Sequence, residues 1–251
     1  MVNKMSEVTF KLNKKDLLIT CENSSITIKN FASSKTADSI NVNLLALYNN
    51  QYIKAANYLY DLKYDVVLNK NTKTYNGSFL NEIIDSSSSN RKITLKGNEG
   101  YDTYIISNNE KAHSTIIDNC ADIIVSNSSN LNFALDNFSF DLNIDTNNQN
   151  TYFNSDIVIF NENNKEIARI KNAIIKATTN NNYEFKSTIE SINISSQYRI
   201  SSSENIQNNK NIITIDELNN AIQAWNNNHD ELNLTSLESG EVEKIILTFS
   251  N

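Results

Sequence analysis

Apolar and polar positions alternate near the start of the chain. Val8, Phe10 and Leu12 fall on one face, and Leu17-Leu18-Ile19 follows the polar turn Asn13-Lys14-Lys15. Ile26-Thr27-Ile28-Lys29-Asn30-Phe31 comes next. Period-two alternation broken by short polar clusters predicts three short antiparallel strands. The period then changes. Leu44, Tyr48, Tyr52, Ala55, Leu59 and Leu62 recur at three- and four-residue spacing. That spacing predicts an amphipathic helix over about residues 43–61, its apolar stripe packed on a core.

Between residues 64 and 125 the apolar runs shorten. Ile83-Ile84, Ile93-Thr94-Leu95, Thr103-Tyr104-Ile105, Ser114-Thr115-Ile116-Ile117 and Ile123-Ile124-Val125 are separated by Asn, Ser and Gly clusters. Apolar pairs recurring every 9 to 12 residues or so have the rhythm of a solenoid or roll, in which each rung buries its aliphatic residues against the next. Ser86 to Ser89 reads as a loose insertion in that rhythm. Longer strands are predicted over 138–144, 156–160 and 166–176.

This second set echoes the first. Asn13-x-x-Asp16-Leu17-Leu18-Ile19 matches Asn154-x-Asp156-Ile157-Val158-Ile159, and Ile28-Lys29-Asn30-Phe31 matches Ile170-Lys171-Asn172-Ala173. Two matching landmarks in the same order indicate an internal repeat. Further on, Thr214-Ile215-Asp216-Glu217 is a capping box. Leu218, Ala221, Ile222 and Trp225 form a stripe behind it, which predicts a second helix to about Asn227. Lys244 to Asn251 reads as a strand-like apolar and hydroxyl tail. Four segments follow: an antiparallel β module plus amphipathic helix (1–62), a degenerate β-roll (63–130), a second β module (131–200), and a C-terminal helix with its tail (201–251). The expected fold is mainly β, with degenerate parallel roll rungs flanked by antiparallel β modules and two short helices.

Composition narrows the partners. The net charge is -7, which argues against nucleic acid bound by phosphate neutralisation and leaves no polybasic patch for an anionic membrane. No apolar run approaches the roughly 20 residues that span a bilayer. Met1 to Glu7 lacks the apolar core of a cleavable signal peptide. Asn occurs 46 times and Pro not at all. Asn tolerates the left-handed backbone region better than other non-glycine residues, so a turn-rich chain can drift from Gly toward Asn. Cys21 and Cys120 form no CxxC, and His113 and His229 have no partner at metal-ligand spacing. No nucleophile elbow or phosphate loop appears. These absences point to a protein that is not an enzyme.

The densest signal is Gly97-Asn98-Glu99-Gly100-Tyr101-Asp102-Thr103-Tyr104, which holds two of the four glycines. It is a degenerate copy of the nonapeptide of calcium-binding parallel β-rolls. A weaker turn stands at Asn76-Gly77-Ser78-Phe79-Leu80-Asn81. Together with Val8 to Phe31, Thr115-Ile116-Ile117-Asp118, Ile212 to Leu218 and Ile246 to Ser250, the Gly97–Tyr104 turn resembles the C-terminal region of the RTX (repeats-in-toxin) cytolysins, over about two thirds of the chain. The resemblance implies a non-enzymatic secreted module with at most residual calcium binding. It also implies an uncleaved C-terminal signal read by a type I secretion exporter. Gly97, Glu99, Gly100 and Asp102 are the implied calcium ligands. The chain departs from the family in having Asn98 where the repeat has its second glycine. A full shell of 6–8 oxygens would also need Asp85, Asp118 and Asp122. The second expectation is a calcium-independent, toxin-derived effector or adhesin. It would bind a host protein through its β surface, with Tyr48, Tyr52, Tyr58 and Tyr60 as the candidate patch.

Overall fold

The computed structural model describes residues 8–21, 23–36, 43–46, 51–54, 62, 64–128, 130–145, 148–179, 182–195, 210–214 and 244–247. The alternation at the start becomes a meander of β1 (Val8–Asn13), β2 (Asp16–Cys21) and β3 (Ser24–Ile28). Both pairings are antiparallel, with Leu12 opposite Leu17 and Leu17 opposite Ile28. A short 3-10 turn, Phe31–Ser33, follows.

The helix expected over 43–61 is not formed where the chain is described. β4 (Asn43–Ala46) and β5 (Gln51–Lys54) make an antiparallel hairpin with Ala46 opposite Gln51. Four-residue spacing of apolar residues also fits two short strands around a turn. Tyr and Ile, as in Tyr52-Ile53, favour strands. The second expected helix and the tyrosine patch lie outside the residues described at side-chain level.

Seven strands then alternate between two sheets: β6 (Tyr64–Val67), β7 (Thr74–Asn76), β8 (Glu82–Asp85), β9 (Lys92–Lys96), β10 (Asp102–Ser107), β11 (His113–Ile117) and β12 (Ala121–Ser126). The even-numbered strands stack in parallel in one sheet. The odd-numbered strands stack in parallel in the other. Each rung is therefore one strand from each sheet, and the expected roll is present. Inward residues of both sheets meet in one core that includes Ile84, Tyr104, Ile106, Ile123 and Val125 from one side and Ile93, Leu95 and Ile116 from the other. Ser86 and Ser89 are buried in the turn between β8 and β9 rather than looped out.

A further rung is split by hairpins. After β12 come β13 (Asn132–Asp145), β14 (Asn148–Phe160) and β15 (Glu166–Thr179), paired antiparallel in that order. The first part of β15 also continues the odd-numbered sheet, pairing in parallel with β11 so that Ser114, Thr115 and Ile116 face Ala168, Arg169 and Ile170. β16 (Asn182–Ser187) turns back on β15, and β17 (Ile189–Ser195) rejoins the even-numbered sheet parallel to β12. β18 (Lys210–Thr214) and β19 (Lys244–Leu247) add antiparallel strands to β17 and β13.

Asparagine carries many of the turns. Five of the six non-glycine residues with positive φ among the described residues are Asn. Asn69, Asn109 and Asn161 each accept a backbone N–H from two residues ahead through their side-chain oxygen, at 2.9, 2.9 and 3.1 Å. Side chains that close such turns do work glycine cannot.

Candidate functional site

The chain crosses three times from the odd-numbered to the even-numbered sheet at one corner of the roll, through turns 77–81, 97–101 and 118–120. The ladder stacks them. Asn76 pairs with Lys96 and Lys96 with Ile117, so Gly77, Gly97 and Asp118 open successive turns. The Gly77 N–H donates to Lys96 O at 2.7 Å, and Asn98 Nδ2 donates to Gly77 O at 2.9 Å. The Tyr101 N–H donates to Asn81 Oδ1 at 2.8 Å. Asn98 takes φ 81°, so it adopts the conformation that a second glycine would otherwise supply.

Three acids point into this corner, and all three residues are buried. Glu82 lies five residues after Gly77, as Asp102 lies five after Gly97. That matching interval places Glu82 among the site residues, and it was legible in the sequence once the weaker turn was extended by one residue. In the third turn the acid moves: Asp118 stands at the turn's opening and Ala121 stands opposite Asp102. The glycines make room for these side chains. A Cβ on Gly77 would lie 2.1 Å from Glu82 Oε2. One on Gly97 would lie 1.9 Å from Asp102 Oδ2 and 2.2 Å from Asp118 Oδ2. Gly100, at φ 101°, packs against Leu80 O, where a Cβ would come within 2.5 Å.

The acids are mostly satisfied from within the chain. Ser78 N–H donates to Glu82 Oε2 at 2.9 Å, and Tyr75 O–H donates to Oε1 at 3.2 Å. Glu82 N–H donates to Asp102 Oδ1 at 2.8 Å. Asp118 Oδ1 accepts the N–H groups of Asn119 and Cys120, and its Oδ2 accepts the Tyr104 hydroxyl at 2.5 Å. Asp102 Oδ2 alone among these oxygens is buried without a donor from the chain. Burial raises the pKa of all three acids. Desolvation, and then the neighbouring Asp118 carboxyl, push Asp102 up to about 9. Desolvation likewise raises the Tyr104 phenol above its ordinary value. Two facing carboxyls in an apolar corner are relieved when one carries a proton.

The corner tests the expected calcium site. Gly97, Gly100 and Asp102 come together in one turn, while Glu99 sits exposed at its tip. Of the supplementary acids only Asp118 lies over Gly97 beside Asp102. Asp85 closes the opposite turn by accepting Ser87 N–H at 2.8 Å, and Asp122 on β12 is hydrogen-bonded to the Ser191 hydroxyl. Among the described residues, no group of three or more His, Cys, Asp or Glu side chains is placed to hold a metal ion. Asp102 Oδ2 is the one carboxylate oxygen of the corner that the chain leaves without a donor, against the 6–8 oxygens of a full calcium shell. His113 is part of a different cluster: its Nε2 lies 2.8 Å from Glu166 Oε1. Cys120 is half-buried beside Glu190. Desolvation first, and that carboxylate second, raise its thiol to about 11, away from a reactive thiolate.

Fold and corner together define a two-sheet parallel β-roll with a degenerate turn ladder. No protein-family model, curated protein or solved structure matches the chain. No helix among the described residues is long and apolar enough to cross a membrane.

Proposed function

We propose that the chain is a non-enzymatic, RTX-like secreted module, exported by a type I system through an uncleaved C-terminal signal, with at most residual calcium binding. The observation that carries this reading is the Gly97–Tyr104 turn, stacked between two further turns in a parallel roll. The buried acids of that corner hold backbone N–H and hydroxyl groups, which is structural work. Deleting residues 212–251 in cells carrying a type I exporter should abolish export. Unchanged secretion of the truncated chain would sink the export reading.

The hydrogen bonds already made by Glu82, Asp102 and Asp118 favour a second reading, in which the module folds without calcium and binds a host protein through its β surface. Thermal unfolding in excess EGTA and in millimolar calcium separates the two. Ligand bound only by the folded state raises its stability, so a large rise in midpoint with calcium supports coupling between calcium, folding and export. Coincident melts support the calcium-independent reading.

A further inference from the structure

The two halves of the internal repeat superpose residue by residue in their pairing. Leu12, Leu17 and Ile28 sit opposite one another in sequence across β1, β2 and β3, as Leu135, Ile157 and Ile170 do across β13, β14 and β15. By the same register Ile26, Thr27 and Ile28 stand where Ala168, Arg169 and Ile170 stand. The copies differ at their edges. The edge of β15 facing away from β14 is filled by β11 in parallel over Ala168 to Ile170. The edge of β13 facing away from β14 is filled by β19. Among the described residues, β3 pairs only with β2 and β1 only with β2. Exposure follows the pairing. Ala168 is fully buried, whereas Ile26 is 65% exposed, matched among the large apolar side chains of the described residues by Val67.

We propose that the edge of β3 left unpaired among the described residues, over Ile26 to Ile28, is a docking edge for the end strand of a second parallel β-roll on another polypeptide, added in parallel as β11 adds to β15. An unpaired strand edge offers a row of free N–H and C=O groups, and extended segments bind such edges by β-augmentation. The homologous junction within the chain specifies the partner's chemistry: a short strand of hydroxyl residues leading into aliphatic ones, as in Ser114-Thr115-Ile116-Ile117, ending a roll. This inference does not depend on calcium or on the route of export.

The test uses the full chain and a synthetic peptide of residues 112–118, the segment that fills the equivalent edge of β15. Amide hydrogen exchange is followed residue by residue with and without the peptide. The expected result is about a tenfold or greater slowing at alternate amides of β3. A scrambled peptide should give no slowing. In Ile26→Lys, which places a charge on an exposed edge position without touching the core, the protection should be lost. No protection of β3 at millimolar peptide, or protection unchanged in Ile26→Lys, overturns the proposal. So does sedimentation showing a dimer with β3 already protected, which would assign the edge to a second copy of the chain.

Discussion

One structural device occurs twice in this molecule, in two settings. Near the start, Lys29 Nζ donates to Asp16 Oδ2 at 2.6 Å and the Asn30 N–H donates to Asp16 Oδ1 at 2.9 Å. In the second module, Lys171 Nζ donates to Asp156 Oδ2 at 2.7 Å and the Asn172 N–H donates to Asp156 Oδ1 at 2.9 Å. The clamping asparagine is left-handed in both, at φ 56° and φ 50°. The surroundings differ. The Asp16 side chain is 24% exposed and Lys29 is 75% exposed, whereas Asp156 is fully buried. Asp156 also accepts from Arg169 Nη1 at 3.3 Å, and Arg169 reaches Asp136 and Glu166 as well. A short local motif can thus fix the geometry of a hairpin without fixing its energetic worth. The worth is set by what the hairpin packs against.

The largest test of that difference is Asp156→Ala set against Asp16→Ala. Removing Asp156 takes away the carboxylate that Lys171 pairs with, leaves Arg169 only Asp136 and Glu166, and frees the Asn172 N–H. Breaking one side of a buried ion pair costs on the order of 3–5 kcal/mol. Asp16→Ala should produce a far smaller shift in the chemical unfolding midpoint, and one that fades with added salt, because exposed pairs are screened. Comparable shifts from the two substitutions would mean that burial does not decide the worth of the clamp.

The second test concerns attachment. The first module meets the roll through a small cluster of Leu17, Phe31, Ala32, Phe79 and Leu80, with the Phe31 and Phe79 rings edge to face at 5.4 Å. The second module shares the main core through Phe133, Leu135, Ile157, Ile159 and Ile170. Phe79→Ala should cost about 3–5 kcal/mol where the lost contacts are native. Hydrogen exchange should show that loss as faster opening of β1 to β3 while β13 to β15 keep their protection. Uniform acceleration through both modules would show that the first is not separately held.

These contrasts bear on what the sequence reveals. The repeat was legible because Asp16, Lys29 and Asn30 and their counterparts act through neighbours close in sequence. The roll was legible because its period is regular and Gly97-x-x-Gly100-x-Asp102 marks a turn. The hairpin of β4 and β5 was misread as helix because four-residue apolar spacing serves both structures, and only pairing decides between them. Which edge of each module is filled was not legible either. Ile26 and Ala168 are both apolar strand residues, and pairing in parallel with β11 is a long-range event that leaves no mark beside Ala168. The geometry of the third turn was not legible. Asp118 replaces the glycine that opens the turn, and its side chain enters the space over Gly97.

The third test separates the clamps from the corner by pH. The Lys29 ammonium, and then the Asn30 N–H, hold the Asp16 carboxyl below its ordinary value. Glu166 is also lowered: burial raises it, but Arg169 and His113 outweigh that. For such groups the unfolded state binds protons first as pH falls, so their stabilisation is present above the ordinary carboxylate range and lost on acidification. Asp102 has the opposite sign. Its folded value of about 9 lies above the ordinary 3.8, so its contribution is present at low pH and lost as pH rises between the two values. The thermal midpoint should fall on moving from about pH 5 to about pH 9, and Asp102→Asn should flatten that fall because an amide can still donate to Asp118 without ionising. Asp16→Asn should alter only the acid limb. A descent that survives Asp102→Asn undiminished would place its cause away from Asp102, in Glu82, Asp118 or beyond the corner.

The smallest expected effect is the sharpest control. Asn30 and Asn172 hold the left-handed conformation in settings that differ in exposure and charge, yet the strain of placing a Cβ there is local to each backbone. Alanine at either position loses the side chain that eases this conformation and should cost about 1–2 kcal/mol. The two losses should agree closely, unlike those of the paired aspartate substitutions, and neither should depend on salt. Glycine at either position accepts the same φ without strain and should restore most of the loss. If Asn172→Ala proved much worse than Asn30→Ala, and Asn172→Gly did not recover it, the Asn172 side chain would be supporting the buried clamp directly. The division between a backbone part common to both copies and an electrostatic part set by burial would then fail.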